Sequence, residues 1–119
     1  MMKKSVIALS LVLLSGCADM GRVGLHPSLE SAYFNGPPWQ VESCLREAAY
    51  HQRLYLEQDD PLPGGAKRFN LEQDGDTVAW VEVDKSSHRQ TSVSFFYNPK
   101  EPGIHAAISA MISACKTSR

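Results

Sequence analysis

The dipeptide Asp74-Gly75 constrains this chain more than any other feature, because it stands between two runs of period two. A two-residue type I′ hairpin turn needs positive φ at both central positions, which Asp-Gly tolerates. Before the turn, Phe69 and Leu71 alternate with Arg68, Asn70 and Glu72; after it, Thr77 to Val83 reads as the returning strand. A loop of that length sets Leu71 opposite Val78 and Phe69 opposite Trp80. A second turn near Ser86-Ser87 leads into a third strand from Arg89 to Tyr97, placing Trp80 opposite Val93 and Val78 opposite Phe95. The three strands then agree on one apolar face of Phe69, Leu71, Val78, Trp80, Val93 and Phe95. A one-residue slip would send each set to the other face, so this register is the sharpest expectation the sequence makes.

Helical periodicity flanks the strands. Val41, Cys44, Leu45 and Ala48 recur at three- and four-residue spacing, which predicts a helix from about Trp39 to His51 or slightly beyond. Pro38 suits its first turn, and Glu42 lies toward the positive end of its dipole. The stretch from Asp59 to Gly65 reads as loop. Asn98 to Gly103 breaks the third strand, and a last helix runs from about Pro102 to Lys116. Its buried stripe is Ile104, Ile108, Met111, Ile112 and Cys115. The expected domain is a two-layer α+β unit over residues 38–119. Its order is α-β-β-β-α, a three-stranded antiparallel sheet with two helices side by side on one face. The other face would expose Ala79, Val81, Val83 and Phe96 among polar neighbours. Val81, Val83 and Phe96 are therefore the candidate protein-contact residues. The alternatives are ordinary scattered surface hydrophobes, or cover by residues 20–40.

The first residues have a different character. Lys3 and Lys4 precede an apolar run from Ser5 to Leu14, too short to span a bilayer and of signal-peptide length. The run ends in Leu14-Ser15-Gly16-Cys17. This resembles the lipobox of bacterial lipoprotein precursors: a branched apolar residue, two small residues and a cysteine. The resemblance covers this segment alone. It implies cleavage between Gly16 and Cys17 by the lipoprotein signal peptidase, with lipid on the Cys17 sulfur and acylation of the new amino terminus. Because a single acyl chain binds a membrane only marginally, several chains on one cysteine make the anchor firm. Ala18 follows the cysteine and Asp19 comes one step later. An aspartate directly after the lipidated cysteine is the family's inner-membrane retention signal, so outer-membrane sorting with the domain facing the periplasm is expected. Residues 17–37 would be the lipidated terminus and a Gly- and Pro-punctuated tether, able to pack back through Tyr33, Phe34 and Trp39.

Charge and cysteine content fit an exported module. Without Lys3 and Lys4, 10 Lys and Arg face 13 Asp and Glu, a balance unlike that of a nucleic-acid binder. Of three cysteines, Cys17 is taken by lipid, leaving Cys44 and Cys115. In an oxidising compartment these two are expected to form a disulfide joining the buried sides of the two helices. The alternative is a pair of buried free thiols.

The rest of the chain carries no signature of catalysis. His26, His51, His88 and His105 share no metal-ligand spacing with one another, a cysteine or a carboxylate. There is no nucleophile elbow, and Gly64-Gly65 lacks the pattern of a phosphate loop. Asp59-Asp60 and Asp74/Asp76 sit in turns, where aspartates cap backbone. No cofactor is expected. The sequence thus points to a lipid-anchored, non-enzymatic binding or structural module of the cell envelope, attached to the membrane through Cys17 and contacting an envelope protein. The competing reading is a periplasmic enzyme whose site assembles from separated residues such as His51, Asp59, Asp60 and His88.

Overall fold

A computed structural model of the chain describes residues 23–24, 26–87 and 89–117. The signal segment, Cys17 and His88 lie outside the described residues. The elements are β1 (Ser28–Asn35), α1 (Pro38–His51), β2 (Tyr55–Gln58), β3 (Lys67–Gln73), β4 (Asp76–Ser87), β5 (Gln90–Tyr97) and α2 (Pro102–Thr117).

The sheet corrects the three-stranded expectation. It has five strands in the order β1-β5-β4-β3-β2, with every neighbouring pair antiparallel. Two strands are additional. β1 arises within the stretch expected to be a tether and pairs along its whole length with β5, from Ser28↔Tyr97 to Asn35↔Gln90. β2 is only four residues long and pairs with β3 through Tyr55↔Glu72 to Gln58↔Phe69. The core-facing side of β1 carries Ala32 and Phe34, and that of β2 carries Leu56, all buried. Those side chains complete the apolar layer at the two edges of the sheet.

The register of the central hairpin differs in one respect with large consequences. The Asp74-Gly75 turn forms as expected, with φ of 53° and 86° and Gln73 paired with Asp76. The ladder then slips: Glu72 pairs with Thr77, but Leu71 pairs with Ala79 and Phe69 with Val81. Val78 is the extra residue of a β-bulge. A bulge places two residues of one strand against one of the other and reverses the phase beyond it. Val78 and Ala79 are both fully buried, and Val81 and Val83 follow on the core side, at 0% and 2% exposure. Trp80 goes to the opposite face, half-buried, with its ring 4.8 Å from the Arg68 guanidinium carbon. Val81 and Val83 are therefore core residues, not surface contacts. Physical chemistry favours this phase. Compact β-branched valines fill the interior without polar atoms, whereas an indole N–H needs a partner when buried. A second slip between Lys85 and Ser87 prolongs β4 beyond the expected turn, so that Ser87 pairs with Gln90.

Both helices lie on the core side. α1 packs over β2, β4 and β5, α2 over β1 and β5, and the two helices pack on each other. α1 begins at Pro38, and the Pro37 carbonyl oxygen accepts hydrogen bonds from the N–H groups of Gln40 and Val41. It ends in a Schellman arrangement: Leu54 N–H bonds to the Ala49 carbonyl and Arg53 N–H to that of Tyr50. Arg53 occupies the left-handed position of this cap at φ 60°, where glycine is usual. The helix ends at His51, within the expected bounds, but the absence of that glycine hides the start of β2 from sequence reading. Cys44 and Cys115 form the disulfide joining α1 to α2, with Cα atoms 5.8 Å apart. Its chain separation is 71 residues. A bridge closing a loop of that size stabilises by roughly 4 kcal/mol in the chain-entropy account.

Glu42 on α1 is largely buried, at 9% exposure, and its Oε1 lies 3.3 Å from Lys67 Nζ on β3. Glu42 Oε2 has no hydrogen-bond partner among the described residues.

Candidate interaction surface

The helices cover one side of the sheet, and the strand registers define what stands on the other. On β1 the outward residues are Leu29, Ser31 and Tyr33; on β5 they are Ser92, Ser94 and Phe96. Beyond the bulge, β4 contributes Trp80, Glu82 and Asp84, and β3 contributes Arg68, Asn70 and Glu72. Tyr55 and Glu57 complete the face on β2. Cross-strand pairing sorts these into rows. One row runs Leu29, Phe96, Trp80, Asn70, Glu57. The row beside it runs Ser31, Ser94, Glu82, Arg68, with Ser31 and Ser94 hydroxyls 3.3 Å apart. An apolar and aromatic band thus crosses half the sheet and gives way to polar groups.

Of the three expected contact residues, only Phe96 stands here, half-buried between Leu29 and Trp80 in the register. Val81 and Val83 belong to the core. Arg68 stands on this face as expected, whereas Leu29, Tyr33 and Trp80 are residues of the face that sequence reading did not place there. The run Val78-Ala79-Trp80-Val81 already carries a signal, because apolar residues occupy both phases of the strand. That pattern fits a bulge better than a strict alternation.

The face is electrostatically one-sided. Among the described strand residues, Glu57, Glu72, Glu82 and Asp84 project from it against one cation, Arg68. Glu72 has its carboxyl pKa raised, first by loss of hydration and then by Glu57, which lies diagonally across the β2–β3 pair and shares a side-chain hydrogen bond with it. Stacked over Trp80, the Arg68 guanidinium gains a cation–π contact. Its Nε is buried without a hydrogen-bond partner among the described residues.

An open cleft of about 760 Å³ lies at the end of α1, lined by Tyr50, His51, Arg53, Tyr55, Glu72 and Asp74 among others. Tyr50 and Tyr55 are among the most exposed aromatic residues described. His51 lies in the cleft, but Asp59 and Asp60 do not line it. Asp59 Oδ1 instead accepts the Asp60 N–H, a local turn role. His51 Nε2 is 3.9 Å from Glu47 Oε1, one turn back along α1 at the surface. His105 is a structural residue: its Nε2 is 3.2 Å from Glu30 Oε1 and its ring stacks on Tyr97 at 5.4 Å, tying α2 to β1. Burial, and then Glu30, raise the Tyr97 pKa. Among the described residues, no group of three His, Cys, Asp or Glu is placed to hold a metal ion.

No family model matches the chain, and no curated protein matches it significantly.

Proposed function

We propose that the chain is a lipid-anchored envelope protein whose domain is a non-enzymatic binding module working through the open face of its sheet. The observation that carries this reading is that face, where Trp80, Phe96 and Leu29 form an apolar band among four carboxylates. Contiguous exposed apolar surface rimmed by polar groups is the physical signature of a protein contact. The carboxylates select a partner segment with basic side chains flanking an apolar one. Support for the anchor comes from the Leu14-Ser15-Gly16-Cys17 motif, and support for an oxidising compartment from the Cys44–Cys115 bridge. Ala18 after the anchoring cysteine favours the outer membrane, with the domain in the periplasm.

Substituting Cys17→Ser in the full chain tests the anchor. Lipid labelling should disappear and the protein should leave the membrane fraction. Unchanged maturation and membrane attachment would contradict the proposal, and sedimentation with the inner membrane would contradict the sorting.

A further inference from the structure

Only five residues, Ala18 to Arg22, separate Cys17 from Val23. Val23 is 2% exposed, and Gly24 lies against the Asn98 side chain, where an added Cβ would fall 3.6 Å from Asn98 Nδ2. The domain therefore holds the chain at Val23 and Gly24, well before the end of the tether that the sequence suggests. Whatever their conformation, the six residue steps from Cys17 to Val23 span at most ~20 Å.

The strand registers fix what surrounds that attachment point. The start of β1 pairs with the end of β5, the end of β5 with the start of β4, and the start of β2 with the end of β3. One pole of the domain thus gathers the start of β1, the Asn98–Gly103 connection, the Asp74-Gly75 turn and the start of β2. α1 ends at this pole, where Tyr50 and Tyr55 line one cleft with Asp74 and Gly75. Those two tyrosines are 77% and 61% exposed. A tyrosine ring with an apolar body and a polar tip suits the boundary between lipid and water.

We propose that this pole rests on the lipid surface, with Tyr50 and Tyr55 entering the headgroup layer beside the anchor. The inference rests on the lipid anchor at Cys17 proposed above, and adds how the domain is held against the membrane. The opposite pole offers an exposed aromatic too, Trp39, at 69% exposure. It stands beyond the far end of β1, and eight strand residues span ~27 Å. A domain inverted onto Trp39 would lift Val23 farther from the bilayer than the segment from Cys17 can reach. Arg53 and Lys100 share the anchored pole with Asp74, Asp76 and Glu101, so charge attraction does not select it. The short segment and the two rings do. The strands then run away from the bilayer, and the open face bearing Trp80 and Phe96 looks sideways along the membrane.

The test uses the full lipidated chain in vesicles of phosphatidylethanolamine and phosphatidylglycerol, with a nitroxide on a fraction of the headgroups. With Cys44 and Cys115 bridged, a new cysteine takes a polarity-sensitive fluorophore, either as Gln52→Cys beside the tyrosines or as Arg89→Cys at the far pole. Quenching at position 52 should exceed that at position 89 at least threefold, with a blue shift at position 52 alone. Equal quenching, stronger quenching at position 89 or none at either would overturn the proposal. Flotation of the same vesicles reads the anchor separately. A chain that does not float overturns the anchor and the docking with it, whereas one that floats without quenching at position 52 overturns the docking alone. Adding Tyr50→Ser and Tyr55→Ser should at least halve the quenching at position 52 while flotation persists, and undiminished quenching would overturn the part given to the tyrosines.

Discussion

The two faces of the sheet use the same strands for opposite ends. On the helix side, Phe69, Val81, Val93 and Phe95 are fully buried within the apolar core. On the other side, Trp80 and Phe96 sit half-buried among Arg68, Glu82 and Ser94, one position away along the same strands. The bulge at Val78 decides which set goes where. The contrast teaches that the apolar content of a strand does not define its core. What defines it is the phase in which residues without hydrogen-bonding groups meet the covering helices.

Exchanging the roles of neighbouring residues breaks the comparison most severely. Val81→Asp would bury an unpaired carboxylate in the core, and circular dichroism should show loss of the fold, a cost of more than about 4 kcal/mol. Trp80→Asp, one residue away, should retain a cooperative thermal transition, losing mainly the stacking with Arg68. If Val81→Asp folds and Trp80→Asp does not, the phase assigned to β4 is wrong.

Opening the Cys44–Cys115 bridge weakens the covered side alone. The double variant Cys44→Ala, Cys115→Ala should lose up to ~4 kcal/mol in denaturant unfolding. Smaller still is the effect of Arg53→Gly at the end of α1. Relief of the left-handed conformation at φ 60° should raise stability by about 0.5–1 kcal/mol.

The smallest effect belongs to the open face. The Glu72 pKa is raised on folding, so deprotonation across its titration range costs stability. Below the ordinary glutamate range the carboxyl is protonated folded and unfolded, and the cost vanishes. Glu72→Gln should therefore be more stable than the parent at pH 7, with the difference closing as the pH falls through the glutamate range. A difference that grows on acidification would contradict the sign.

Much of the molecule is legible in the sequence where one local signal suffices. The Asp74-Gly75 turn, the α1 start at Pro38 and the α2 stripe each follow from a few neighbouring residues. The pairing of Cys44 with Cys115 follows from their positions on the two helices. What escaped depends on contacts distant in sequence. β1 lies between glycines and prolines that suggest a tether, and only β5 gives Ala32 and Phe34 a place to bury. β2 is too short to show a period and owes its existence to β3. The bulge is a choice between two apolar phases that local alternation leaves equal. For the same reason, of Val81, Val83 and Phe96 only Phe96 stands on the uncovered face, in the company of Trp80, Leu29 and Tyr33.

The central claim is that the uncovered face of the sheet, rather than the helical layer, meets the partner. A photoactivatable cross-linking residue at Asn70, beside Trp80 on that face, should capture another envelope protein in cells. The same residue at Glu47, exposed on α1, should capture none. Adducts from Glu47 without adducts from Asn70 would contradict the account.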